Sequence, residues 1–230
     1  MEFNFKYFNS KNISKFKKKK FFNNNTLLHY AVLNNKYNTL KNIINNDYDI
    51  NQQNNNGDTA LHLSIRYKYD NISLLLIENK KINLKLKNKY NIDVLFEAIT
   101  TNNFNIINNL LKKNINFNSY RGPNNKNYFH EAIIKNNKKL IKYFISIYNN
   151  LNIKDSDGNS LIHYAAIYNN LNLIKNFKEK NINLNPLNNK NENPLNYYIK
   201  RDSKKQIINN LYNNNINDID INENNCLINY

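Results

Sequence analysis

An all-α solenoid of stacked helix pairs is the fold that this 230-residue sequence predicts. Three observations point to it. A short slot recurs as Leu28-His29-Tyr30-Ala31, Leu61-His62-Leu63-Ser64, Phe129-His130-Glu131-Ala132 and Ile162-His163-Tyr164-Ala165, and it holds all four histidines of the chain. The recurrence keeps phase: His29 to His62 and His130 to His163 are each 33 residues, and the 68 from His62 to His130 divide at Phe96 into two steps of 34. Two more steps of 33 reach Asn196 and Asn229. After the slot, apolar residues fall at i, i+1, i+4 and i+5, as in Ile106, Ile107, Leu110, Leu111 and Leu140, Ile141, Phe144, Ile145. That spacing lines one face of a helix. A constant period of this length means a row of like units, each leaning on its neighbours.

Each unit opens on a turn, such as Asn54-Asn55-Asn56-Gly57-Asp58 or Asp155-Ser156-Asp157-Gly158-Asn159. Glycine takes positive φ freely, and Asn and Asp tolerate it. A first short helix follows. Thr26, Thr59 and Ser160 offer a hydroxyl at its start, an N-cap signal. Within it Leu61, Ser64 and Ile65 lie at i, i+3 and i+4 and form an apolar or small-residue face. A polar link leads to the second helix, in which Ser73 is the exception to the apolar pattern. Segments such as Asn114-Ile115-Asn116-Phe117-Asn118 and Asn181-Ile182-Asn183-Leu184-Asn185 close the unit. Helices this short are marginal alone, below about 12 residues, so the pairs must stack to be stable.

The net charge is +16 and the pI about 9.6. Asn makes up about a quarter of the chain, with only three Gly and three Pro. Such a composition fits a bias toward A- and T-rich codons. The lysine surplus then belongs to solvated faces, or else to an acidic or nucleic-acid partner, whose encounter a basic field would speed. The single cysteine, Cys226, forms no internal disulfide, which fits a reducing compartment. No run approaches the roughly 20 apolar residues of a membrane span, and Met1 to Phe22 is basic and aromatic without an apolar stretch of signal-peptide length. The run Lys17 to Lys20 reads as the solvated face of a capping helix, with nuclear import or an anionic surface as the alternative. Phe16, Phe21 and Phe22 are expected to cover the open face of the first unit.

A period of 33 with turn, helix, helix and the slot Thr-Pro-Leu-His-x-Ala resembles the ankyrin repeat. Thr59-Ala60-Leu61-His62-Leu63-Ser64, two residues after Gly57, carries the likeness best. Ser160-Leu161-Ile162-His163-Tyr164-Ala165 and Thr26-Leu27-Leu28-His29-Tyr30-Ala31 follow, and Asn193-Pro194-Leu195 keeps the proline but has Asn196 for His. The resemblance implies an ankyrin-type helical solenoid with short turn and hairpin loops between helix pairs. The expected layout is a basic and aromatic lead or capping segment over 1–20, six repeats over 21–220, and a partial seventh over 221–230. The repeats run at about 21–53, 54–87, 88–121, 122–154, 155–187 and 188–220. Where the family places glycine in left-handed links, this chain has Asn35, Asn102, Asn136 and Asn169, and after the second helix Asn46, Asn114 and Asn181. Asn is the residue other than Gly most willing to take that conformation.

The same register removes the histidines from the catalytic candidates. Zinc ligands cluster within a few residues, whereas these lie a whole unit apart, and the resemblance gives them a structural role in bonding adjacent turns. No nucleophile-base pair, phosphate loop, metal site or cofactor site is indicated, so the chain is expected not to be an enzyme. The expected function is protein–protein interaction, with electrostatic binding of nucleic acid or an anionic membrane surface as the alternative, and a divergent, persisting array as a third reading. The expected compartment is the cytoplasm, of a host cell if the source is a virus or intracellular microbe, with the nucleus as the alternative. The family's concave contact strip implies partner-binding residues that follow the Ala slot: Leu33 and Asn34, Arg66 and Tyr67, Thr100 and Thr101, Ile134 and Lys135, Ile167 and Tyr168, Lys200 and Arg201. At the turn tips it implies Asn56, Asp58, Asp157 and Asn159. Aromatic residues and Arg are favoured interface anchors.

Overall fold

The computed structural model describes residues 19–46, 48–113, 122–148 and 150–201, with the side chains of residues 198–201 left aside. Within these residues the helices come in pairs: α1 (Leu27–Leu33) with α2 (Tyr37–Asn45), α3 (Ala60–Arg66) with α4 (Asp70–Glu78), and α5 (Val94–Thr100) with α6 (Phe104–Leu111). Then come α7 (Tyr128–Ile134) with α8 (Lys138–Ile147), α9 (Leu161–Ile167) with α10 (Leu171–Glu179), and α11 (Pro194–Arg201). Among the described residues extended pairing is limited to isolated bridges, Lys87 to Asp93 and Lys154 to Ser160.

Caps explain where the first helices start. Thr26 and Thr59 accept a hydrogen bond at Oγ1 from the backbone N–H of His29 and His62. Asp93 and Asn127 do the same with a side-chain oxygen, at 2.9 Å from Phe96 N and 3.0 Å from His130 N. Each satisfies a donor that a helix start leaves open. Hydrophobic burial then sets the stack. The first helices pack in a row, α1 on α3, α3 on α5, α5 on α7, α7 on α9 and α9 on α11, and each of α1, α3, α5, α7 and α9 also packs on its own second helix. One hydrophobic cluster runs without a break from Leu27 to Phe177. Phe129 ties units together within it, its ring centroid 5.7 Å from Phe144 and 6.4 Å from Phe177. Ser73 sits in this core without apolar chemistry because its hydroxyl donates to Ser64 Oγ, 2.8 Å away. A small pair of hydroxyls replaces a methyl contact.

The links between the helices of a pair are left-handed at Asn35, Asn102, Asn136 and Asn169, with φ of 51°, 53°, 49° and 52°. Asn181, after α10, follows suit at 54°. Asn46 does not: it has φ −99°, and its amide donates to Ile43 O as an ordinary helix end. Asn114 lies outside the described residues. The second unit places a lysine in the link, Lys68 at φ 58°, where the side chain's Cβ crowds the following carbonyl. At the hairpin tips Gly57 and Gly158 are left-handed, and the equivalent positions Asn24, Asn91, Asn125 and Asn191 adopt the same conformation. Asparagine thus takes over the glycine's backbone role at most turns.

One expectation about the first unit is overturned. Phe21 does cover it, with its ring 4.6 Å from Tyr30, but Phe22 is 89 % exposed. It opens a tight turn whose Asn23 and Asn24 are both left-handed, which swings its side chain outward. Phe16, Lys17, Lys18, Cys226 and the partial seventh unit lie outside the described residues.

Candidate binding surface

The four histidines are built into the stack. The backbone N–H of Thr26 donates to His29 Nδ1 at 3.1 Å, so Nδ1 is an acceptor. Its Nε2 lies 2.8 Å from the carbonyl oxygen of Asp58, in the next unit, and a carbonyl can only accept. The ring is therefore the neutral Nε2–H tautomer. His62 repeats the arrangement between Thr59 and Ile92 O, and His163 between Ser160 and Glu192 O, each at 3.1 Å on the Nε2 side. Burial pushes the His29 imidazole down to about 4 and also lowers His62 and His163, since a low-dielectric site disfavours the cation. His130 Nδ1 meets Asn127, and its ring lies edge-on to Tyr164 at 4.9 Å.

The residues after the Ala slot divide into two kinds. Arg66 is locked in place: it donates to both carboxylate oxygens of Asp58, at 2.7 and 3.0 Å, and to both of Glu97 in the next unit, at 3.0 and 2.9 Å. Asp58 is only 1 % exposed and takes a further bond from Asn88. Burial would push its carboxyl up, but the Arg66 and Asn88 hydrogen bonds hold it below the usual range. Asp58 therefore looks inward. Thr100 is the next unit's counterpart of Arg66 and donates to Glu131 at 3.2 Å. Lys135 lies 3.8 Å from the same Glu131, and Thr101 returns its hydroxyl to the helix carbonyls of Glu97 and Ala98.

The second kind is open to a partner. Tyr67 is half exposed and stacks on Tyr69 at 6.0 Å. Tyr168 is exposed and stacks on Tyr164, 6.4 Å away and nearly parallel. The Tyr164 hydroxyl is itself anchored on Asp155 at 2.6 Å. Leu33 is exposed, and Ile134 and Ile167 are half-buried. Of the tip residues, Asn56 and Asp157 are exposed and Asn159 is half-buried. The side chains of Lys200 and Arg201 lie outside the described set. The tips are tied in series by backbone bonds, Lys89 N to Asn56 O and Asn189 N to Asp157 O, each 2.9 Å.

The supporting tyrosines and the carboxylates Glu97 and Glu131 were not singled out by sequence. For Tyr164, Glu97 and Glu131 the signal was the position after the His slot, which reads Tyr30, Leu63, Glu97, Glu131, Tyr164 and Tyr197 along the stack; Tyr69 has no such signal. Chemically the strip offers aromatic ends and a neutralised polar middle. Among the described residues no group of three or more His, Cys, Asp and Glu side chains comes together in a way that could hold a metal ion, and no helix is long and apolar enough to cross a membrane.

Comparison with known proteins agrees with this architecture. The family model for ankyrin repeats (3 copies) matches residues 28–121 and 129–225. An ankyrin repeat protein of Acanthamoeba polyphaga mimivirus is 28 % identical over 146 residues, which are 61 % of this chain and 19 % of the viral protein. The chain thus spans about a fifth of that relative's length. Among solved structures, the ankyrin repeat domain of Bcl-3, a member of the IkappaB protein family, superposes with a TM-score of 0.65 at 17 % identity, over 81 % of this chain and 86 % of that domain. A chain from the complex of a predatory endopeptidase with its immunity protein, from Bdellovibrio bacteriovorus, gives 0.66 at 23 % identity, over 79 % and 93 %. At these identities the likeness is one of fold.

Proposed function

Because the chain belongs to the ankyrin repeat family, whose stacked units generally serve protein–protein interaction, we propose that it is a non-catalytic module that displays its inner strip to a protein partner. The observation that carries this is the pair of propped aromatics, Tyr67 on Tyr69 and Tyr168 on Tyr164. A stacked ring loses little freedom on binding and offers a large amphipathic surface, the property that suits an anchor. Leu33, Ile134 and Ile167 add apolar area between them, and Asn56, Asp157 and Asn159 supply a polar edge. Arg66, Asp58, Thr100 and Thr101 shape the strip from beneath. We further propose six units over 21–220, after a lead segment over 1–20 and before a partial seventh over 221–230. The proposed place of action is the cytoplasm.

The test is affinity capture from the native cell by the full chain and by Tyr67→Ala/Tyr168→Ala, with circular dichroism to establish that both are folded. A specific partner retained by the first and lost by the second is the expected result. Equal recovery would remove the strip from the interface. The net charge of +16 favours a second reading, electrostatic attachment to nucleic acid. That reading requires binding that collapses steeply with salt and ignores base sequence.

A further inference from the structure

The face built from the second helices carries a different feature. In the first three units these helices pack side by side, α2 on α4 and α4 on α6. Between α8 and α10 lies a groove of about 730 Å³, lined by residues of both helices. The two faces differ in their side chains. Leu74 and Leu75 of α4 are apolar and pack on the core, whereas the equivalent residues of α10 are Lys175 and Asn176.

Four lysines rim the groove: Lys138, Lys139 and Lys142 from α8 and Lys180 beyond α10. All four are exposed. No carboxylate lines it, because Glu179, the acidic residue of α10, lies outside. Among the described residues none of the four makes an ion pair; Lys139 instead sits 4.9 Å over the ring of Phe104. The accessible apolar lining comes from Tyr143 and Ile145, both half-buried. The groove therefore joins uncompensated positive charge to an apolar floor.

We propose that this groove is a second docking surface, and that its occupant is an acidic amphipathic helix of a protein partner, lying between α8 and α10. Charge complementarity selects an anionic ligand. The apolar floor selects among anions: a phosphate backbone has nothing to set against Ile145, whereas an amphipathic helix carries both faces. An α-helix about 10 Å across can lie along the groove and meet both rims. The surface lies on different elements from the tyrosine strip, so the two sites stand or fall separately.

The experiment is fluorescence anisotropy with two probes, a labelled synthetic helix bearing glutamates on one face and leucines at i, i+3, i+4 and i+7 on the other, and a short DNA duplex. The proteins are the full chain, K138E/K142E/K180E, I145S and Y67A/Y168A, each checked by circular dichroism. Should the charge-reversed chain fail to fold, K138Q/K142Q/K180Q takes its place. The peptide is expected to bind the full chain and Y67A/Y168A alike, at least about tenfold more weakly after charge reversal and about threefold more weakly with I145S. No measurable peptide binding, or binding that survives charge reversal, overturns the proposal. So does loss of binding in Y67A/Y168A, which would place the peptide on the strip, or tighter binding of duplex DNA with no effect of I145S.

Discussion

Arg66 and Glu97 join two consecutive units through paired hydrogen bonds of 3.0 and 2.9 Å, while the same guanidinium holds Asp58 of its own unit. Both carboxylates are nearly buried, at 1 % and 7 % side-chain exposure. The arginine is the charge that makes their burial tolerable, because removing one partner of a buried pair strands the other.

Arg66→Ala should therefore destabilise the array, by about 2–3 kcal/mol, measured as a shift of the urea midpoint. Asp58→Asn combined with Glu97→Gln in the same background should recover much of that loss. A midpoint unchanged in Arg66→Ala would mean that the network contributes no stability. Arg66 is accordingly a poor choice for mapping a partner, since its loss changes the scaffold.

The buried neutral histidines make stability depend on pH. His29 titrates at about 4 in the fold and at 6.5 as a free side chain, so between those values the unfolded chain binds more protons. Stability is complete above 6.5 and falls as the pH drops toward 4, on the order of 3 kcal/mol from this group. His62 and His163 act in the same direction. His29→Gln retains an acceptor for the Thr26 amide. It should flatten the dependence between pH 6.5 and 4 by one proton, read from urea midpoints across that range.

Asp93 opposes them. Burial raises its carboxyl to about 6 despite the hydrogen bond of 2.5 Å from Tyr128. Its folded value exceeds the free value of 3.8, so the folded state binds more protons between the two, and stability falls as the pH rises through that window. Asp93→Asn preserves an acceptor for the Phe96 amide. It should be more stable than the native chain at pH 7.5, by about 1–2 kcal/mol, and equal to it near pH 4. Thermal unfolding at both values decides this.

Left-handed backbone gives three substitutions of differing sign. Lys68, at φ 58°, should gain about 1 kcal/mol when changed to Gly. Asn102→Gly should gain nothing, because Asn tolerates the region and its side-chain oxygen accepts from Asn137 at 2.8 Å. Gly57→Ala should lose about 2 kcal/mol or more, since at φ +74° a Cβ would stand 2.9 Å from Lys89 N. Chemical denaturation of the three variants tests the ranking.

The sequence by itself determined the repeat. The phase of His29, His62, Phe96, His130 and His163 specified one slot per unit, and Thr26, Thr59 and Ser160 marked where the helices start. These are local signals, made by the spacing of apolar residues and by side chains that hydrogen-bond within three positions. The turns were legible in part. Asn35, Asn102, Asn136 and Asn169 take the left-handed links, but Asn46 ends its helix conventionally and Lys68 takes the second unit's link. Tertiary structure alone decided what each exposed-looking position does. Arg66 and Tyr67 are neighbours in sequence, yet Glu97 of the next unit binds the first and leaves the second open. The groove between α8 and α10 was equally invisible, because its lining comes from residues 30 and more positions apart brought together across the stack. Periodicity describes one unit; the contact between units depends on pairs of side chains that no single unit contains.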